Sequence, residues 1–122
     1  MGGDKAPEVV VDGAEIARER FPDISFLMFG DQRRLEPLVQ AHPKLVAVTE
    51  YRHTTEVVSG EDKPSVALRS ARQSSMRLAI NSVRDGDASC VVSAGNTGAL
   101  MVIAKFVLKT LPGIHRPAIT TY

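Results

Sequence analysis

A chain of 122 residues and 13.2 kDa has room for one ordinary domain, since domains cluster near about 100–150 residues, and 43% hydrophobic with 24% charged residues excludes disorder and collagen-like repeats. Fifteen basic against fourteen acidic residues leave a formal charge of +1, which argues against a broad basic face for nucleic acid but leaves room for a local anion pocket. The single cysteine, Cys90, cannot form an intramolecular disulfide, and with no secretory leader to read at its start the chain is expected to be cytoplasmic.

Short apolar runs alternate with longer mixed segments, the pattern of repeated strand and helix. A first helix is predicted over about Pro7–Arg20, opened by proline and closed at Phe21-Pro22, with Val10, Ala14 and Ala17 on one face. Phe26–Phe29 reads as a buried strand, Gly30-Asp31 turns into a helix through about Ala41, and Leu45–Val48 reads as a second strand. Tyr51–Lys63 is expected to be an irregular, polar excursion with room for function. The longest helix is predicted from Pro64 to about Val83, a third strand over Ala88–Val92, and a last helix from Asn96 to about Lys109. Its apolar stretch, Gly98–Leu108, is interrupted by Lys105 and falls short of the roughly 20 residues that cross a bilayer.

Apolar strands without alternation suit a parallel sheet covered on both faces, so the expected fold class is α/β: a doubly wound, mostly parallel sheet in a three-layer sandwich. That sheet reads as incomplete at both ends. Met1-Gly-Gly-Asp4 looks like the turn after a strand, Ala118–Tyr122 looks like half of another, and the last helix is apolar on nearly every side and needs cover.

The strongest local signal is Val91–Leu100, where an apolar run passes through Ser93-Ala-Gly-Asn-Thr-Gly98 straight into a helix. Helix starts carry unpaired N–H groups and the positive end of the dipole, and glycines let a ligand approach the backbone, so such junctions bind anions. Two accounts stand side by side: Asn96 and Thr97 contact a bound oxyanion, or Gly95 and Gly98 only make a tight turn that Asn96 caps. The segment is neither a Walker A sequence nor a dinucleotide fingerprint, so neither ATP nor NAD is supported and no cofactor is expected. The Met1–Asp4 turn would open on the same carboxyl edge of a parallel sheet, with Asp4 read first as a helix cap. Arg69, Arg72 and Gln73 lie at helical spacings that could converge on one anion, although a solvated arginine face, with Ser74 and Ser75 at a helix contact, is the plainer account. His53 could serve as a base but reads more simply as a packing or surface residue, the histidines and cysteine have no metal-ligand spacing, and Cys90 reads as core.

Met1-Gly-Gly-Asp with Ala6-Pro-Glu8, Lys63-Pro with Ala67-Leu-Arg69 and Ser74-Ser-Met76, Ser93–Met101, and Gly113-Ile with Arg116-Pro-Ala118 together closely resemble the PlsX family of bacterial phosphate acyltransferases. The four motifs match in order and spacing over nearly the whole chain, whereas Phe21–Val48 matches mainly in pattern. Members are longer, so the resemblance implies an amino-terminal portion of a single domain whose fold resembles that of isocitrate and isopropylmalate dehydrogenases. It also implies transfer of a fatty acyl group from acyl carrier protein to inorganic phosphate, giving acyl phosphate for phospholipid synthesis, by a cytoplasmic homodimer that touches the membrane peripherally. Carried over by motif, Asn96 and Arg69 are the catalytic candidates, and Gly2, Gly3, Asp4, Ser75, Ser93, Gly95, Thr97 and Gly98 the substrate-binding ones. The family often has lysines before the paired serines, where this chain has Arg72-Gln73. Two other readings remain: an acyl-CoA:phosphate transferase like phosphotransacetylase, and a non-catalytic phosphate- or lipid-binding module.

Overall fold

Residues 1–118 are described in the computed structural model of this chain. The strand expected over Ala118–Tyr122 lies, from residue 119 onward, outside them.

Helix α1 (Glu8–Arg20) follows Pro7, which is buried and joined to Ala6 by a cis peptide bond. It turns Val11 and Ala14 inward. After Phe21–Ser25, strand β1 (Phe26–Gly30) leads through Asp31 into α2 (Gln32–Gln40), which starts where the Asp31 carboxylate accepts the Arg33 N–H at 3.1 Å. Four residues form α3 (Pro43–Val46), and β2 (Thr49–His53) returns parallel to β1, pairing Phe26 with Thr49 and Gly30 with His53. The segment read as a second strand, Leu45–Val48, is therefore the end of a short helix and a turn. Pro43 at the first helical position favours that start, and only Leu45 of the run is fully buried. Tyr51, Arg52 and His53, expected in the excursion, complete β2, so the irregular segment is 54–63.

The long helix predicted from Pro64 is two helices, α4 (Pro64–Ser70) and α5 (Ser75–Asp85). Ser74 breaks it: its hydroxyl accepts the Arg77 N–H at 3.3 Å and donates to the Ala71 carbonyl at 2.8 Å, capping α5 and closing the turn in one side chain. Gly86, at φ 84°, ends α5 in a left-handed conformation that glycine adopts without steric cost. Ala88–Val92 is not a strand. None of the described residues supplies a backbone for it to pair with, Val92 is 90% exposed, and Cys90, expected in the core, is also exposed. The last helix, α6 (Thr97–Leu108), is where the sequence put it, with Ala99 and Ile103 buried and Val102, Phe106 and Leu108 on the surface.

The architecture of the described residues is α/β, with a two-stranded parallel sheet and six helices. Two clusters of buried side chains hold it together. One joins Val11, Ala14, Met28, Leu35, Val39 and Leu45 from α1, β1, α2 and α3; the other joins Val58, Ala67, Met76, Ile80, Ala99 and Ile103 from the excursion and α4 to α6. Contacts between α5 and β1 connect them.

Candidate active site

Glycines at two distant points of the chain let their turns interlock. Met1 packs on Gly30 at the carboxyl end of β1, a Cβ on Gly2 would collide with the Val58 carbonyl, and one on Gly3 would stand 2.6 Å from the Ala94 carbonyl oxygen. Gly95 faces Gly2 in return, and a Cβ on it would also meet Met76 of α5 at 3.3 Å. The sequence placed Gly2, Gly3, Ser93 and Gly95 on one edge of the sheet, and the structure brings these turns into contact beside the carboxyl ends of β1 and β2. Only backbone without side chains fits so closely.

Helix α6 begins at this junction. The Ser93 hydroxyl accepts the Gly95 N–H at 3.2 Å, and the Asn96 side-chain oxygen caps the helix by accepting the Ala99 N–H at 3.0 Å. Asn96 Nδ2 donates to the carbonyls of Ser59, Gly60 and Asp62 at 3.0, 3.2 and 2.9 Å. Its amide is therefore fully engaged by the protein, tying the excursion to the helix start, and is a positioning group. The backbone N–H groups of Thr97 and Gly98, at the first two positions of α6, have no hydrogen-bond partner among the described residues. A Cβ on Gly98 would stand 2.9 Å from Pro64 Cγ, so the starts of α4 and α6 are also in close contact. An orienting network, two free N–H donors and the positive end of a twelve-residue helix make a place for an oxyanion.

Asp4 does not cap α1. The residue before that helix is Pro7, no side chain caps it, and the exposed Asp4 carboxylate has no partner among the described residues. Ser75 is buried at the first position of α5, where its backbone N–H donates to the Glu56 carbonyl at 3.0 Å. His53 accepts the Gln32 N–H on Nδ1 at 3.2 Å, which ties it to the start of α2. Arg69 stands apart from the glycine turns. It lines a cleft of about 540 Å³ with Arg72, Gln73, Arg77, Asn81 and Phe106, to which neither turn contributes.

Sequence reasoning missed the part played by the excursion. Ser59, Gly60 and Asp62 receive Asn96, while Thr54, buried, donates its hydroxyl to the Gln73 carbonyl at 2.6 Å and binds this segment to the turn before α5. The polar turn Ser59-Gly-Glu-Asp62 just before Lys63-Pro64 was the available signal, and Ser59 N–H indeed bonds the Asp62 carboxylate at 2.8 Å. Among the described residues no group of His, Cys, Asp and Glu side chains could hold a metal ion, and no helix is long and apolar enough to cross a membrane.

A family model described as a fatty acid synthesis protein matches residues 1–122. The chain is 63% identical over 122 residues to a phosphate acyltransferase of Rhodospirillum centenum, covering all of this chain and 34% of that protein. It is 60% identical over 121 residues to the phosphate acyltransferase of Rhodospirillum rubrum, and 56% over 119 residues to that of Paramagnetospirillum magneticum, covering 35% and 34% of those proteins. It thus spans about a third of the length of these curated relatives. With its whole length matched, the chain belongs to the fatty acid synthesis protein family, among relatives named phosphate acyltransferase, as its four motifs indicated.

Proposed function

We propose that this chain forms the phosphate-holding part of an enzyme that transfers a fatty acyl group from acyl carrier protein to inorganic phosphate. The observation that carries the reading is the interlocked pair of glycine turns at the start of α6, with the Thr97 and Gly98 N–H groups unpartnered. Phosphate docks there as a dianion, its charge met by the helix end. One phosphate oxygen attacks the thioester carbonyl, the tetrahedral oxyanion collapses, and the C–S bond breaks to leave acyl phosphate and a thiolate that takes a proton from solvent. The dianion is already a competent nucleophile, so the protein's task is to hold it against repulsion and orient it. Gly2 and Gly3 shape the floor of the cradle, and Asn96 and Ser93 fix the backbone of the helix start. Asp4, exposed beside the turn, orients the ligand by accepting a hydrogen bond from the phosphate's remaining O–H. Arg69, outside the cradle, meets the anionic end of that donor.

On this reading β1 and β2 belong to a doubly wound, three-layer sheet of the isocitrate dehydrogenase-like kind in the intact protein. The acyl phosphate feeds phospholipid synthesis, and the enzyme works as a cytoplasmic homodimer at the inner face of the membrane. The reading is tested by phosphate-dependent thiol release from acyl carrier protein and from acyl-CoA, measured side by side on the intact protein. Release from the carrier protein, with acyl-CoA a poor donor, is expected. Preference for acyl-CoA would make it a phosphotransacetylase-like enzyme, and phosphate binding without turnover of either donor would leave a binding module.

A further inference from the structure

The cleft that holds Arg69 has its own chemistry. It joins the end of α4, the turn before α5, Arg77 and Asn81 of α5 and the carboxyl-terminal end of α6 around about 540 Å³. Arg69, Arg72 and Arg77 all line it, and among the described residues no acidic side chain does. Among the described residues none of the three guanidinium groups makes a salt bridge or a hydrogen bond. The charge around them is one-sided: residues 63–84 hold five arginines and lysines and no aspartate or glutamate. Gathering cations without counter-charge raises the energy of the folded chain, and an anionic ligand relieves it. Gln73 and Asn81 add amides to the wall, whose N–H groups are donors of the kind an oxyanion accepts from. Phe106, 63% exposed, adds an apolar surface whose ring already carries Arg77 at 5.7 Å from its centre.

We propose that this cleft is a second oxyanion site, separate from the glycine turns, and that its ligand is an organic phosphate. A guanidinium fork matches two oxygens of one anion, so a carboxylate satisfies one arginine, whereas a phosphoryl group presents enough oxygens and charge for all three. Phe106 receives the carbon part of the ester. Free phosphate shares the anionic chemistry but makes no use of that ring.

The experiment uses the intact protein with phenyl phosphate and inorganic phosphate as probes, following the side-chain Nε–H resonances of Arg69, Arg72 and Arg77 by NMR at fixed ionic strength. Saturable shifts with phenyl phosphate, at an affinity clearly above that of inorganic phosphate, are expected. Equal affinities would keep the oxyanion site but overturn the ester as its ligand, and no saturable shift with either probe would overturn the site itself. Arg72→Gln, at an exposed position, should weaken phenyl phosphate binding about tenfold, and Arg77→Gln by a similar factor. Because Arg77 also rests on Phe106, the Arg72 variant decides the matter if the Arg77 variant loses stability. Unchanged binding in Arg72→Gln with the fold intact contradicts the proposal.

Discussion

The two halves of this chain are built on opposite principles. Residues 1–62 hold twelve acidic and seven basic side chains and contain both strands, whereas residues 63–122 hold two acidic and eight basic ones and, as far as they are described, fold as helices alone. The first cluster lies wholly in the acidic half, and the second is built by the basic half around Val58 of the acidic one. The overall charge of +1 conceals this division, which is why composition alone argued only against a broad basic face. The comparison teaches where to look for function: at the seam, where Gly2 and Gly3 of the acidic half lie on Ala94 and Gly95 of the basic half, and where Asn96 reaches back to the carbonyls of Ser59, Gly60 and Asp62.

Core truncations test the division most severely. Leu45 and Ile103 are fully buried, one in each cluster, and replacing either by alanine should cost about 2–5 kcal/mol in urea unfolding. The account expects one shared transition to shift in both variants, because the seam and the α5–β1 contact couple the halves. Two separate transitions, each sensitive to one variant, would break that coupling. Asn96→Ala comes next. It removes the α6 cap and three bonds to the excursion, so turnover of the intact enzyme should fall by about 100-fold through a misplaced helix start. A fall of less than about threefold at unchanged stability would remove Asn96 from the site.

Gly3→Ala sharpens the comparison at its narrowest point. Its methyl group would meet the Ala94 carbonyl, and backbone cannot yield as a flexible side chain can, so a loss of about 1–3 kcal/mol is expected, measured by denaturant midpoint. The smallest effect belongs to α1. The Arg18 guanidinium bonds both carboxylate oxygens of Glu15 at 2.8 Å and holds that carboxyl below its ordinary range. A depressed folded-state value means the pair stabilises the fold above the ordinary carboxylate range and loses that contribution as pH falls through the folded value. Arg18→Met should therefore lower the urea midpoint slightly at neutral pH and leave it unchanged at strongly acid pH; an equal loss at both would assign the effect to packing.

Much of the acidic half was legible because its signals are local. Pro7, Asp31 and the apolar run Phe26–Phe29 mark α1, α2 and β1 within a residue or two of where they stand. The meeting of the glycine turns was expected from the rule that loops after parallel strands share an edge, yet Ala88–Val92 ahead of the second turn is not a strand, and the contact rests on the glycines themselves. The basic half hid more. Nothing in Ala71-Arg-Gln-Ser74 announces a helix break by glycine or proline, and the Ser74 cap shows only once its hydroxyl has chosen between helix and turn. Ala88–Val92 has a strand's composition but no neighbour among the described residues to pair with, and β propensity describes a fit to a sheet that must first be present. The double use of the Asn96 amide could not be read at all, because its three acceptors come from residues more than thirty positions away.

The most direct test of the seam as a phosphate site is a titration of the intact protein with inorganic phosphate, following the backbone amides of Thr97, Gly98 and Gly3. The account predicts saturable shifts at Thr97 and Gly98 that are abolished in Gly3→Ala while that variant remains folded. Phosphate-dependent turnover without any response at those amides would contradict it.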